Sequence, residues 1–253
     1  MSSTRFLFKN LLIVLLLLSS RVGEAQSFNS TSNSTLYVVI AGNGACRRNS
    51  TFSSVPGLVD TQLFRSFVET LLLPGRVGLQ DNVIFTCYEW QSPQMKFYEL
   101  RGAYRQMLPI HESQLDQVVA SRLGQSQRVV IIGHSHAGWR AMKLASSPLF
   151  LNSVRVPILL ATIDPVSRVN CQRLRDIGCR QAPTDLSAQE MYQLNTRTRW
   201  LNLYHEPAII LGSSPIAAAH WNVRINANHV QMQTDPNVWW NIARFVSIFF
   251  LKP

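Results

Sequence analysis

The chain is short of charge. Only 15% of its 253 residues are Asp, Glu, Lys or Arg, and acidic residues are the scarcer kind, 14 against 24 basic. With 46% apolar residues, this composition excludes the highly charged, weakly hydrophobic sequences that stay disordered. The four cysteines show no C-x-x-C spacing, which makes a zinc site the weak rival to disulfide pairing. No sustained heptad, Gly-X-Y period or repeat of fixed length is present, so coiled coils, collagen and solenoids are out. No apolar run approaches the roughly 20 residues that span a bilayer. The basic excess of +10 is scattered rather than gathered into Lys/Arg runs beside aromatic residues, so no nucleic-acid partner is expected. A general solubility charge accounts for it, and attraction to an anionic membrane or glycan surface is the next reading.

What is present begins with an export signal. Arg5 and Lys9 form a positive n-region, Leu11 to Leu18 an apolar h-region, and Gly23-Glu24-Ala25 supplies small residues for cleavage. This reads as a secretory signal peptide over residues 1–25. Cleavage after Ala25 leaves 21 basic and 13 acidic residues, a charge of +8, on residues 26–253. That length suits one α/β domain. Sequons at Asn29, Asn33 and Asn49 fit a secreted glycoprotein. An oxidising compartment favours disulfides. Cys171 and Cys179 enclose a short loop, and Cys46 and Cys87 each follow an apolar strand. If those strands are parallel neighbours, the latter two sulfurs meet at one sheet edge. Of the three pairings that four cysteines allow, geometry favours this one.

The core pattern alternates strands and helices. Leu36 to Ala41 is an apolar strand running into Gly42-Asn43-Gly44, and Leu58 to Leu73 carries a helical apolar stripe stopped by Pro74-Gly75. A strand over Asn82–Cys87 and a helix over Glu112–Leu123 follow, then the strand Val129–Ile132 and a helix through Met142 to about Ser146. Further strands are expected at Val156–Ile163, Trp200–Tyr204 and Asn222–Ile225. Asp235-Pro236 opens the last helix as N-cap and first helical residue. The fold class is therefore α/β: a doubly wound, mostly parallel sheet flanked by helices, with its ligand site at the C-terminal strand ends.

The sharpest chemical signal is a strand followed by Gly133-His134-Ser135-His136-Ala137 and then a helix. A serine on so tight a turn is pushed clear of the sheet, and the residues two before and two after it must be small. A plain Gly-Ser turn is the blander alternative. His134 and His136 are read as wall residues, because i and i+2 on a turn diverge and suit no zinc pair.

This segment resembles the nucleophile elbow of the α/β-hydrolase superfamily, with Ala137 at the last position where that family carries Gly. The resemblance runs from about Leu36 to Leu251, and its outline is similar to compact, cutinase-like enzymes with a minimal sheet. It implies Ser135 as nucleophile, an acid after the next strand and a histidine after the last. Asp164, in a stretch that resembles the acid turn of secreted lipases, is the expected acid and Glu206 its rival. His229 is the expected base and His220 the runner-up, with His205 and His111 read as structural or surface residues. Backbone N–H groups of Asn43 and His136 would form the oxyanion hole. Residues 165–198 would form a small cap or lid. The implied activity is a secreted, lipase- or esterase-like serine hydrolase that cleaves carboxylic esters or thioesters with no metal or organic cofactor. Its substrate would be a small-molecule or lipid ester. The alternative is a catalytically silent hydrolase fold that binds lipid or protein.

Overall fold

Apolar runs of six or seven residues become strands here because both of their faces can be covered. The computed structural model describes residues 34–42, 62–72, 74–75, 81–88, 94–101, 104–123, 128–154, 158–167, 185–205 and 214–251. The leader over 1–25, the sequon asparagines Asn29, Asn33 and Asn49, and Asn43, Cys46, Cys171, Cys179 and Glu206 lie outside the described residues. Eight strands make one sheet: β1 Thr35–Ala41, β2 Asn82–Cys87, β3 Gln94–Arg101, β4 Tyr104–His111, β5 Arg128–His134, β6 Ile158–Ile163, β7 Thr198–Tyr204 and β8 Trp221–Arg224, in the order β4-β3-β2-β1-β5-β6-β7-β8. The six strands from β2 to β8 in that order are parallel, and β3 and β4 are antiparallel additions at one edge.

Among the described residues, six α-helices cover the sheet: α1 Gln62–Phe67, α2 Leu115–Ala120, α3 His136–Ser146, α4 Pro148–Ser153, α5 Ala188–Arg197 and α6 Pro236–Leu251. Leu63, Phe64 and Phe67 of α1 share a buried cluster with Val238, Trp239 and Ile242 of α6 on one face. Leu115, Met142, Phe150 and Leu194, from α2 to α5, pack on the other. This is a mostly parallel α/β sheet with helices on both sides. Its strand order reverses between β1 and β5, the switch point where such sheets leave a crevice at their C-terminal edge.

The Glu112–Leu123 helix is shorter than expected, a 3-10 turn at Glu112–Gln114 leading into α2. The helical stripe over Leu58–Leu73 is described from Gln62, and its α-helix passes into a π-type turn at Val68–Leu72. The sheet is larger than a minimal one, because β3, with Lys96, Glu99 and Arg101 in its sequence, and β4 add an antiparallel hairpin at one edge. Pro109, in the edge strand β4, sits where a missing N–H is tolerated. Within 165–198, α5 is the helix that leads into β7. Ser187 caps it, receiving the Glu190 N–H at 3.2 Å while Glu190 Oε2 accepts the Ser187 N–H at 2.8 Å. Lys143 of α3 pairs with Glu190 at 2.7 Å. Asp235 caps α6 as expected, its Oδ1 accepting the Asn237 N–H at 2.7 Å.

A line of neutral polar side chains crosses the last three strands. Trp200 Nε1 donates to Thr162 Oγ1 at 2.9 Å, Thr162 Oγ1 to Asn202 Oδ1 at 3.1 Å, and Asn202 Nδ2 to Asn222 Oδ1 at 2.9 Å. Asn222 in turn bonds the backbone of Ile216 in both directions, at 2.8 and 3.0 Å. Buried amides and hydroxyls are thereby satisfied while they fix the strands' relative positions.

Candidate active site

Ser135 is the single residue between β5 and α3. Its φ of 60° and ψ of −132° lie where side-chain-bearing residues are rarely found, at a cost of roughly 1–3 kcal/mol. Backbone hydrogen bonds hold it there: its N–H donates to Ile163 O at 3.0 Å, and its carbonyl accepts from Gly138 at 2.8 Å and Val166 at 3.1 Å. Although it stands at the N-cap of α3, its hydroxyl does not cap that helix. Oγ lies instead 2.9 Å from His229 Nε2.

The neighbouring small residues have physical reasons. A Cβ on Gly133 would come within 2.4 Å of the Ala137 carbonyl oxygen, so the strand and helix touch there. Ala137 itself is fully buried without conflict, which explains why the elbow accepts its methyl. A Cβ on Gly42, at the end of β1, would meet His134 O at 2.8 Å and Ser135 Cβ at 3.1 Å. The chain leaving β1 therefore passes directly beside the serine. Residue 43, the expected oxyanion donor, follows it outside the described residues. His136, the other expected donor, is the first residue of α3, where helix N–H groups and the dipole favour negative charge.

Asp164 ends β6 with a φ of 46°, a conformation Asp tolerates better than most residues. Its N–H donates to Leu203 O at 2.7 Å, and its carboxylate is wholly buried. Oδ2 lies 2.5 Å from His229 Nδ1. The loop carrying His229 is tied by reciprocal bonds between Asn228 and Gln231, at 3.2 and 2.9 Å. Ser135, His229 and Asp164 thus form one continuous relay drawn from the ends of β5, β8 and β6.

Two further histidines surround it. His134, at the end of β5, donates its Nε2–H to the His229 backbone carbonyl at 2.9 Å. Burial first, and the nearby His229 second, push its pKa down from 6.5 to about 3, so it is neutral. That makes it more than a wall residue. His205, one residue past β7, places Nδ1 2.7 Å from Asp164 Oδ2 and donates its backbone N–H to Oδ1 at 3.3 Å. The Nδ1 contact is close but off the hydrogen-bonding line, leaving a buried ring nitrogen without an aligned acceptor. Distance decides the electrostatics here: the carboxylate raises the His205 pKa above its ordinary value, against the opposing effect of burial.

His220 is not brought to this site. It is exposed at the start of β8, where Nδ1 accepts the Trp200 N–H at 3.3 Å, and burial lowers its pKa. His111 is exposed and caps the 3-10 turn before α2. Cys87, at the end of β2 beside β1, is disulfide-bonded. Among the described residues, Asp164, His205 and His229 form the group whose ligand atoms stand close enough to consider a metal, within 4.8 Å of one another. Both Nδ1 atoms turn on the same carboxylate oxygen, an arrangement that carries protons and would have to open to admit a tetrahedral ion. His205 is the member that sequence reasoning missed. The signal was there: Asp164 and His205 each sit one residue beyond a strand, and those two strands are parallel neighbours.

No protein-family model matches the chain, and no curated protein matches its sequence at a significant level. Among the described residues, no helix is long and apolar enough to cross a membrane.

Proposed function

We propose that the chain is an exported serine hydrolase of the α/β-hydrolase class, cleaving carboxylic ester or thioester bonds through an acyl-enzyme on Ser135. The observation that carries this reading is the relay itself: a strained, uncapped serine hydroxyl 2.9 Å from an imidazole whose other nitrogen meets a buried carboxylate at 2.5 Å. His229 Nε2 takes the proton from Ser135 Oγ as the oxygen attacks the substrate carbonyl carbon, and Asp164 stabilises the imidazolium that forms. The oxyanion develops against the N–H of His136 and that of residue 43. His229 then passes its proton to the leaving group, and water, activated by the same imidazole, releases the acid.

The deciding experiment is labelling with a fluorophosphonate, alongside hydrolysis of esters and thioesters graded in acyl length. The wild-type protein should be labelled and Ser135→Ala should not. A folded wild-type chain that takes no label and turns over no substrate is a binding protein, and the hydrolase reading fails.

A further inference from the structure

We propose that His205 is a positioning residue that holds the Asp164 carboxylate alongside His229 and sets how much of its charge the reacting imidazole receives. The inference rests on the hydrolase reading above. Its basis is geometric. Asp164 is completely buried, and its carboxylate is met from two other segments: His229 Nδ1 bonds Oδ2, His205 Nδ1 stands 2.7 Å from the same oxygen, and the His205 backbone N–H donates to Oδ1 at 3.3 Å. His205 therefore grips both oxygens, and a carboxylate held at both ends cannot rotate away from His229. Because the rings of His205 and His229 lie 6.3 Å apart and address the same oxygen, they compete for one negative charge.

The competition depends on pH. The titratable groups facing His205 among the described residues are Asp164 at the end of β6 and His229 before α6, with His134 of β5 stacked beyond His229 at 4.9 Å. His134 is neutral, so the exchange is among the other three. A protonated His205 neutralises Asp164 and leaves less charge to stabilise the imidazolium that His229 becomes in the transition state. The rate on the acid side then carries an inflection that belongs to His205.

Two variants test this. His205→Phe keeps a ring of similar size without a donor. His205→Asn places an amide N–H at the position of Nδ1 but does not titrate. The expected result is a kcat for His205→Phe lower by roughly 10–100-fold with KM little changed, the size of one lost polar contact to a charged group. In His205→Asn most of that loss is recovered at pH 8, and the inflection that belongs to His205 disappears from the acid limb. A wild-type kcat in His205→Phe, no recovery in His205→Asn, or an acid limb in His205→Asn identical to that of the wild type overturns the inference while the hydrolase reading stands. If the wild-type protein proves inactive and unlabelled, the proton shared by His229 Nδ1 and Asp164 supplies a separate reading by its downfield NMR resonance. His205→Phe should move that resonance and His205→Asn restore it; an unmoved resonance overturns the inference on its own.

Discussion

His134 donates its Nε2–H to the main-chain oxygen of His229 across 2.9 Å. One histidine thus fixes the backbone from which another acts. The bond by itself favours a charged ring, but burial outweighs it and holds the His134 pKa near 3 against 6.5, so the ring donates as a neutral imidazole. In the unfolded chain this ring takes up a proton below about pH 6.5, whereas in the folded chain it does not until about pH 3, so within that window the unfolded state binds more protons. Stability contributed by the neutral ring is complete above pH 7 and declines as the pH falls. At pH 5 the loss is about 2 kcal/mol. Urea unfolding of wild type and His134→Asn at pH 8 and pH 5 checks this: the wild type should lose more stability on acidification, and equal losses refute it.

Asp164→Asn isolates the role of the carboxylate. Asn tolerates positive φ as Asp does, so the turn after β6 is kept and the fold with it. An amide can donate to His229 Nδ1 and impose the tautomer that cannot accept the serine proton. The expected outcome is a fall in kcat of about 10³-fold or more with an unchanged circular dichroism spectrum. A fall of less than about tenfold would show that Asp164 is not the acid.

Relief of the backbone at Ser135 separates strain from chemistry. Ser135→Gly and Ser135→Ala both remove the hydroxyl, but only glycine is at ease at this φ. Ser135→Gly should be the more stable of the two inactive variants by about 1 kcal/mol. Midpoints of urea unfolding decide it, and equal midpoints would mean that the turn carries no strain.

Gly133 makes the opposite case, since the missing Cβ is space already filled. Gly133→Ala drives a methyl against the Ala137 carbonyl at 2.4 Å and should cost at least about 3 kcal/mol, by forcing β5 and α3 apart. Ala137→Gly, at a position that holds its methyl without conflict, should cost about 1 kcal/mol for glycine in a helix. Thermal melting of the pair gives the order directly.

Much of this was legible in the residues. Val129–Ile132 and Leu36–Ala41 announce strands buried on both faces, and the turn after the first of them needs a small residue on each side of the serine. Asp235-Pro236 marks a helix start by local chemistry alone. The hairpin from Gln94 to His111 did not stand out, because a sheet edge admits charged residues and even Pro109, which blurs the alternation. α5 was hidden for a related reason: Leu194 is its one buried residue, so its apolar stripe is too thin to read, although Ser187 and Glu190 spell its cap. The third and fourth histidines of the site could not be assigned from local pattern. Their roles depend on β6 and β7 lying side by side and on the loop of His229 folding back over β5.

The amide and hydroxyl line from Trp200 through Asn222 bears on how the base finds its place. β8 is four residues long and mostly exposed, so oil-like burial does little to lock it, yet the segment bearing His229 hangs from its end. The seat of β8 beside β7 is delegated to uncharged groups, which neither acid nor added salt discharges. That anchorage, unlike the charged contacts around Asp164, yields first to solutes that compete for amides.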